Sequence, residues 1–346
     1  MRDLRILVTS AGGPSFPGAL KGLKENGERS IDVIAVDASP ESSGGRMPDV
    51  EKFYTVPLAK DRYYLDELFK IVDKEKIDAI IPLSTAESIV LSENQDHVPV
   101  MVSDSPQIKD VTDKYWLYSK IHQELGIQPI AHARTDFRHL PEYIKALGYP
   151  DKILCVKPIN GEGTRGFYIL DNHADTIVQY YQSKHVNRMT YAQFMVLFPG
   201  RSQQILLMEY IEGIEYSVDV LIKDCNVIAT RIRRRDKVVN GVSIIGTIID
   251  RPDIHEMSIR LAEHFKLNFC VGIQFIESLG NLYLLEINPR LQSGVTLAIE
   301  AGVNFPYLGL KILLKEPFEY YDFNSSIRIF DGLKMYRYWK DAYVPR

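Results

Sequence analysis

The chain has 346 residues, of which 45% are hydrophobic, 25% charged and 10% aromatic, a balance that excludes an intrinsically disordered protein. Its 41 Lys and Arg against 45 Asp and Glu leave a net charge of −4, so no overall positive field draws it to nucleic acid or to an anionic membrane. No apolar run is long enough to span a bilayer, and Cys155, Cys225 and Cys270 form no CxxC pair. We therefore expect a cytoplasmic protein of two or three domains with reduced core cysteines.

Apolar runs alternate with amphipathic stretches over about the first 110 residues. The runs at 4–9, 31–36 and 77–83 have the composition of buried strands, and the stretches that end at Gly27 and span 64–76 that of helices. Strands and helices that alternate in this way form parallel sheets with helices on their faces. The pattern predicts a parallel α/β domain at the start of the chain.

The turn after the first strand invites a dinucleotide-binding interpretation, because Asp37 ends the next strand, where a ribose-binding acid would stand. A GxGxxG motif that begins at Gly12 would need glycines at two positions occupied by Pro14 and Pro17. NAD binding is therefore the weaker hypothesis, and a plain strand-to-helix turn is the stronger one.

A new segment begins at Asp113, where a predicted helix carries an apolar stripe and ends at Gly126. From about residue 150 onward the sequence becomes rich in strand patterns and no longer alternates one strand with one helix. The predicted strands lie at 152–158, 167–170, 205–210, 216–222, 227–233, 269–277 and 281–287, and the predicted helices at 173–184, 190–197, 252–266 and 295–314. This part of the chain is α+β in character.

Residues 161–166 read GEGTRG, a literal GxGxxG motif with Gly161, Gly163, Thr164 and Gly166. A strand pattern precedes this motif and another follows it, whereas a Rossmann motif must open a helix. A glycine loop between two strands is typical of a flap whose backbone N–H groups close over nucleotide phosphates. A glycine-rich hairpin without any ligand remains the alternative.

Two lysines flank this segment. Lys114 stands at the start of the helix after Asp113, and Lys157 ends the strand before the flap. A lysine is most often a solvated surface charge. Lys157 follows an apolar strand directly, so its ammonium would lie beside phosphates held under the flap.

A strand, a short link and a second strand span residues 208–220. Met208 and Ile211 could line an apolar slot for adenine, and Glu215 could accept hydrogen bonds from both ribose hydroxyls. Strand alternation places Glu215, Ser217 and Asp219 on one face. An amphipathic hairpin with a solvated acidic face is the alternative interpretation.

The stretch LLEINPR carries Glu286 and Asn288 two residues apart, hence on one face of a strand, followed by Arg290. A carboxylate and an amide oxygen are ligands that magnesium accepts, and an acid inside an apolar run needs a cation or hydrogen-bond donors. Gln274, on the preceding strand, would pair directly with Glu286 if the hairpin loop had three residues or if the ladder contained a bulge. The sequence therefore predicts a metal site from Gln274, Glu286 and Asn288.

Read in order, Lys114, the VKP with Lys157, the GEGTRG flap, MEYIEGIEYSVDV, Gln274 and LEINPR resemble the ATP-grasp superfamily, in particular single-copy relatives of the carbamoyl-phosphate synthase large chain. The resemblance implies a parallel α/β pre-ATP-grasp domain at 1–112, a lid subdomain with its linking helix at 113–205, and a metal-bearing subdomain at 206–346. Gln274 stands where many such ligases have Asp or Glu, which puts one metal site in doubt. A single copy argues against the complete synthase reaction.

The resemblance assigns roles to individual residues. Lys114, Lys157 and the flap residues Gly161, Gly163, Thr164 and Gly166 would bind the phosphates. Met208, Glu209, Tyr210 and Ile211 would form the adenine hinge, and Glu215 would bind the ribose. Gln274, Glu286 and Asn288 would hold Mg²⁺, with Mn²⁺ as a substitute, while Arg290, Arg231 and Arg233 are the candidate catalytic residues that meet the phosphoryl group or an oxyanion.

The implied activity is that of an ATP-dependent carboxylate-amine ligase that forms a C–N bond through an acylphosphate. Its substrates would be a small carboxylate and an amine, with no nucleic-acid or membrane partner, and a homo-oligomer stays open. A phosphotransferase that stops at the acylphosphate and a non-catalytic nucleotide-binding subunit remain alternatives. For the arginine-rich strand with Arg231 and Arg233, a solvated sheet edge is an equal alternative.

Overall fold

The protein is described here from a computed structural model, for residues 2–159, 166–183, 187–198, 204–318, 329–338 and 340–343. The chain folds into two compact units. The first unit consists of Met1–Thr112, Glu215–Phe275 and Leu285–Arg346, and the second of Asp113–Ile214 and Ile276–Leu284. The three-part division expected from the sequence stays a prediction. No helix in the described ranges combines the length and the apolar character that a bilayer crossing needs.

The N-terminal segment of the first unit is a four-stranded parallel sheet in the order β3-β2-β1-β4, which confirms the predicted parallel α/β fold. Burial of the apolar runs explains the sheet, because the side chains of β1 and β2 are almost all inaccessible to water. The elements are β1 (Leu4–Val8), α1 (Phe16–Lys24), β2 (Ile31–Asp37), β3 (Lys52–Thr55), α2 (Tyr64–Glu75), β4 (Ala79–Ile81), α3 (Thr85–Ser92) and α4 (Ser105–Thr112).

The second unit contains a five-stranded sheet in the order β5-β9-β6-β7-β8. Its first helix begins after Asp113, whose carboxylate accepts a hydrogen bond from the N–H of Trp116, and ends at Gly126 in the left-handed conformation. The elements are α5 (Lys114–Leu125), β5 (His132–Thr135), α6 (Leu140–Ala146), β6 (Leu154–Pro158), β7 (Tyr168–Leu170), α7 (Thr176–Ser183), β8 (Arg188–Met189), α8 (Tyr191–Leu197) and β9 (Ile205–Glu209).

A six-stranded sheet in the order β14-β13-β10-β11-β12-β15 follows. Only the tip of the β13–β14 hairpin is counted with the second unit. The elements are β10 (Ile214–Lys223), β11 (Asn226–Val239), β12 (Val242–Ile248), α9 (Pro252–His264), β13 (Phe269–Ser278), β14 (Asn281–Asn288), α10 (Val295–Glu300), α11 (Phe305–Leu313) and β15 (Lys334–Tyr336).

Two expectations about these elements were wrong. The single helix expected over 295–314 is two helices, α10 and α11, because Gly302 adopts a positive φ of 84° and Asn304 caps the second helix. The strand expected to end at Arg233 continues to Val239, because its arginines are not at a solvated end but pair with carboxylates across the sheet.

Helix α1 packs closely against α10 and α11, and its glycines make this approach possible. A Cβ on Gly18 would lie 2.5 Å from Cγ1 of Val295, and one on Gly22 would lie 2.6 Å from Oδ1 of Asn304. Asn304 Nδ2 also donates a hydrogen bond to the Gly22 carbonyl at 2.8 Å. The beginning of the chain and the region near residue 300 therefore share one core.

Candidate active site

In the second unit, the structure brings Lys157 to the helix that begins with Lys114. Lys157 Nζ donates a hydrogen bond to the Tyr118 hydroxyl at 3.0 Å and lies 5.2 Å from the Tyr118 ring centroid. Tyr118 follows Lys114 by one helical turn, so both residues lie on one side of α5. Lys114 is buried and Lys157 half-buried, which is an unusual setting for two lysines with only a solvation role. Of the flap residues, Gly166 adopts a positive φ of 74°, while Gly161, Gly163 and Thr164 lie outside the described residues.

The predicted adenine hinge follows β9, which lies between β5 and β6 in the sheet of the same unit. Met208 is buried and pairs with His132 on one side and with Cys155 on the other. Glu209 lies 3.5 Å from Lys152, and the Tyr210 N–H donates to the Ile153 carbonyl at 3.0 Å. Ile211 is partly exposed in the link to β10.

In the first unit, carboxylates of β10 face arginines of β11. The register sets Asp219 opposite Arg231 and Ser217 opposite Arg233, so the ion pair of Asp219 with Arg233 runs diagonally. Arg233 Nη2 lies 2.8 Å from Asp219 Oδ2, and Arg235 Nη1 lies 2.7 Å from Glu215 Oε2. The carboxylates of the acidic face of the hairpin are therefore paired with arginines, and Glu215 is also partly exposed.

Arg231 is fully buried, and its bonds run to the interior of the fold. Its Nε donates to the Ala301 carbonyl and its Nη1 to the Thr230 carbonyl, both at 2.8 Å. Burial lowers the pKa of Arg231 to about 10. This setting favours a structural arginine that ties β11 to the end of α10, and its predicted catalytic role stays a prediction.

Arg233 is also buried, and part of its guanidinium is available. Among the described residues its Nε has no hydrogen-bond partner, and the same holds for Nε of Arg337 nearby. Burial lowers the pKa of Arg337, and the charge of Arg233 adds to that effect. Unsatisfied buried guanidinium donors are costly, so this pair offers hydrogen bonds to an anion.

Arg235 was missed by the sequence reasoning. It is 7% exposed, and it donates to Glu215, to Gln274 Oε1 at 2.9 Å, to the Gly241 carbonyl at 2.7 Å and to the Ser243 hydroxyl at 3.1 Å. The signal was present in the sequence, because strand alternation places Arg235 on the same face as Arg231 and Arg233.

The predicted metal ligands Glu286 and Asn288 lie in contact at the end of β14. Asn288 Nδ2 donates to Glu286 Oε1 at 2.8 Å. A half-turn of the amide would replace its nitrogen with its oxygen, so the two side chains can present two oxygens to Mg²⁺. Within the described ranges no three His, Cys, Asp or Glu side chains form a metal cluster.

The hairpin loop between β13 and β14 is shorter than the metal hypothesis required. The strands end at Ser278 and begin at Asn281, so the loop consists of Leu279 and Gly280, both with positive φ. Of the two arrangements expected for the metal site, the three-residue loop is therefore wrong, and the bulge stays a prediction. Gln274 and Glu286 both approach Arg235 nevertheless, Gln274 by a hydrogen bond and Glu286 by its charge.

Arg290 follows this pair directly. Its N–H donates to the Asn288 carbonyl at 2.7 Å, and its Nη1 donates to the Leu291 carbonyl at 3.1 Å. Its Nε lies 3.4 Å from the Thr85 hydroxyl at the start of α3. Arg290 thus connects the stretch with Glu286 and Asn288 to the start of α3 in the N-terminal segment of the first unit.

The loops after β1 and β4 are joined by one buried carboxylate. Glu87 Oε2 accepts hydrogen bonds from the hydroxyls of Thr9, Ser10 and Ser84 at 2.7, 2.5 and 2.6 Å. Burial raises the pKa of Glu87, and the three hydroxyls oppose that effect. Asp37, weighed as a ribose ligand, instead accepts the N–H of Gly12 at 2.7 Å and so fixes the first turn.

Two family models match the chain. Residues 201–332 match the family described as ATP-grasp in the biosynthetic pathway with Ter operon, and residues 6–102 match the PylC-like N-terminal domain. The chain carries an ATP-grasp domain. The resemblance inferred from the sequence is thereby confirmed, and the ATP-grasp match contains Glu215, Glu286, Asn288 and Arg290.

Curated relatives of this ATP-grasp protein are carbamoyl phosphate synthase large chains. The one from Clostridium perfringens is 24% identical over 303 residues, which are 84% of this chain and 26% of the relative. The one from Clostridium botulinum is 26% identical over 284 residues, 78% of this chain and 24% of the relative. The ATP-grasp protein therefore spans about a quarter of the length of the curated relatives that it matches.

Solved structures show the same fold. N5-carboxyaminoimidazole synthetase from Staphylococcus aureus, complexed with ADP, matches with a TM-score of 0.65 and 15% identity over 91% of this chain and 78% of that chain. L-amino acid ligase from Bacillus licheniformis matches with a TM-score of 0.63 and 16% identity over 92% and 76% of the two chains. The predicted fold class, a parallel α/β domain followed by an ATP-grasp fold, is confirmed.

Proposed function

We propose that the protein is an ATP-dependent carboxylate-amine ligase that uses Mg-ATP and an acylphosphate intermediate. The ATP-grasp match supports ATP as the cofactor, and the fold relatives named above include an L-amino acid ligase and a synthetase complexed with ADP. Because the chain covers only part of the carbamoyl phosphate synthases, their complete reaction is not part of the proposal.

The observation that carries the proposal is the stretch from Glu286 to Arg290. Within five residues it presents a carboxylate, an amide and a guanidinium, and Glu286 and Asn288 are already in contact at 2.8 Å. Oxygen ligands beside an arginine form an arrangement that suits a metal-bound phosphate and the anion that reacts with it. A purely structural strand end would not need all three groups.

We assign the nucleotide to the residues expected from the sequence. Lys114, Lys157 and the flap hold the phosphates, and the hinge from Met208 to Ile211 holds the adenine. Glu215 accepts the ribose hydroxyls, for which its carboxylate is suited because its side chain is 37% exposed despite the bond to Arg235. Glu286 and Asn288 hold the Mg²⁺ of Mg-ATP, which supplies the phosphoryl group that activates the carboxylate substrate.

The residues of the first unit then position the carboxylate. Arg290 follows Glu286 and Asn288 in the chain, and its bonds to the Leu291 carbonyl and to Thr85 hold the guanidinium in place. Arg233 and Arg337 supply further donors to an anion. A positioned arginine stabilises the negative charge of the acylphosphate and of the tetrahedral adduct with the amine.

An ADP-release assay with pooled carboxylates and pooled amines tests the function. We expect ADP release to require one carboxylate and to rise further with one amine. Glu286→Gln should lower the rate by at least about 100-fold, because the change removes the negative charge of the Glu286–Asn288 pair that holds Mg²⁺. Glu300→Gln is the matched control, since Glu300 is exposed and pairs with Lys21 at the surface.

The alternatives give different outcomes in the same assay. A phosphotransferase would release ADP with a carboxylate and gain nothing from any amine. A non-catalytic subunit would bind ATP without turnover, and Glu286→Gln would leave its nucleotide affinity unchanged. Either pattern would contradict the ligase proposal.

A further inference from the structure

Arg235 stands among residues that the proposed function assigns to ribose and metal. Its guanidinium contacts Glu215 and Gln274 directly, and the Glu286 carboxylate is near enough to act on its charge. Burial lowers the pKa of Arg235, while the two carboxylates oppose that effect. A buried guanidinium keeps its charge in proteins because it remains hydrogen-bonded.

The Gln274 amide is fixed with its oxygen toward Arg235 by a chain of hydrogen bonds. Gln292 Nε2 donates to the Val218 carbonyl at 2.8 Å, which leaves Gln292 Oε1 to accept from Gln274 Nε2 at 3.4 Å. Gln274 Oε1 then accepts from Arg235. Each amide has its donor and its acceptor satisfied in one direction only, so neither can rotate without the loss of two bonds.

Gly272 lies against the Gln292 side chain in this chain of hydrogen bonds. A Cβ at Gly272 would lie 2.1 Å from Cγ and 2.5 Å from Nε2 of Gln292, so only glycine permits the observed position of Gln292. The oxygen of Gln274, which is the atom that would bind a metal, is therefore already bound to a cation of the chain itself.

The charges of the side chains around Arg235 agree with a guanidinium, and not a metal ion, beside Gln274. Arg235 neutralises one of the carboxylates Glu215 and Glu286, and Gln274 adds no negative charge. An acid at position 274 would provide the charge that a second divalent ion needs, but an amide with its oxygen on a guanidinium does not.

We propose that Arg235 is a permanent cation in the place that a second divalent ion would take beside Gln274, so that nucleotide binds together with a single divalent ion held by Glu286 and Asn288. The inference rests on the proposed ATP-dependent function. The guanidinium neutralises phosphate charge beside Gln274, and the divalent ion does so beside Asn288.

The test is a count of bound Mn²⁺ by electron paramagnetic resonance, with a non-hydrolysable ATP analogue and the full chain. We expect the parent protein to bind one Mn²⁺ per bound nucleotide. The double variant with Arg235→Gln and Gln274→Glu should bind two Mn²⁺ ions, because it lacks the guanidinium and has gained a carboxylate. Arg235→Lys should keep one, since it keeps the charge.

Affinity for the analogue gives a second readout. Arg235→Gln alone should weaken analogue binding about tenfold, the size of a lost charge-assisted hydrogen bond. Arg234→Gln is the matched control, because Arg234 is on the opposite face of the same strand, is 44% exposed and pairs with Asp236. It should change neither the Mn²⁺ count nor the affinity, and thermal melting of each variant shows that it is folded.

The outcomes separate this inference from the function on which it rests. Two Mn²⁺ ions per nucleotide in the parent, or an unchanged count in the folded double variant, would overturn the inference and leave the ligase proposal standing. Failure of the parent to bind any ATP analogue would overturn both.

Discussion

Two carboxylate-arginine pairs cross the same two strands, and they differ in their access to water. In the pair of Asp219 with Arg233, the side chains are 4% and 3% exposed. In the pair of Glu215 with Arg235, they are 37% and 7% exposed. The N···O distances are nearly equal, 2.8 and 2.7 Å.

The difference shows that one motif can serve two purposes along a single hairpin. A sealed ion pair cannot exchange its partner without a buried charge being left alone, so it holds the strands in register. A pair with one solvated partner can release its carboxylate to a ligand at small cost. We therefore regard the ion pair of Asp219 with Arg233 as the structural end of the row, with Nε of Arg233 left to donate to an anion, and Glu215 and Arg235 as the ligand end.

The largest expected effect on stability is that of the isosteric change Asp219→Asn, which is compared with the separate change Glu215→Gln. Asp219→Asn leaves the Arg233 charge buried without a counter-ion and should lower the free energy of unfolding by about 3 kcal/mol. Glu215→Gln should cost less than about 1 kcal/mol, because Glu215 is partly solvated. Urea denaturation measures both, and equal losses would remove the distinction between the pairs.

The second test changes Gly294, which lies against the Arg233 guanidinium of the buried Asp219–Arg233 pair. A Cβ on Gly294 would lie 1.4 Å from Nη1 of Arg233, so Gly294→Ala must displace the guanidinium and should cost about 1–3 kcal/mol. Gly246→Ala, on β12, is the control, because its nearest neighbour would be 3.4 Å away. Thermal melting of the two variants should differ, and a harmless Gly294→Ala would mean that Arg233 is free to move.

A third test concerns Glu87, a buried carboxylate that is stabilised by hydroxyls instead of an arginine. Burial raises its pKa above the ordinary 4.5, so the folded protein binds a proton that the unfolded chain has lost as the pH rises. The stability of the parent relative to Glu87→Gln should therefore fall as the pH rises from 4.5 through the folded-state pKa, by at most about 1.4 kcal/mol per pH unit. Unfolding curves of both proteins between pH 4 and pH 8 measure the difference, and a rise with pH would contradict the raised pKa.

Much of the fold was accessible from the sequence because the N-terminal strands are continuous apolar runs between clear turns. The runs at 4–9 and 31–36 became β1 and β2 with only small changes at their ends. The four-residue strand β3 gave no such signal, and the break between α10 and α11 depends on the backbone of Gly302, which an apolar pattern does not show.

Part of the candidate site could also be predicted from the sequence. Local motifs such as Glu286, Asn288 and Arg290 are visible because their spacing in the chain is also their spacing on the strand. Arg235 was overlooked because its partners, Glu215 and Gln274, are 20 and 39 residues away in the sequence. Pairing of that kind depends on strand register, which composition and periodicity do not determine.

The close packing of α1 against α10 and α11 has a consequence for how the chain reaches its native state. Gly22 and Asn304, which are hydrogen-bonded, are 282 residues apart in sequence, so the core around α1 cannot close until most of the chain has been synthesised. Contacts of such long range make folding slow. The second unit can form earlier, because most of it is one continuous segment. We expect the face of α1 that carries its glycines to stay exposed until α11 has left the ribosome.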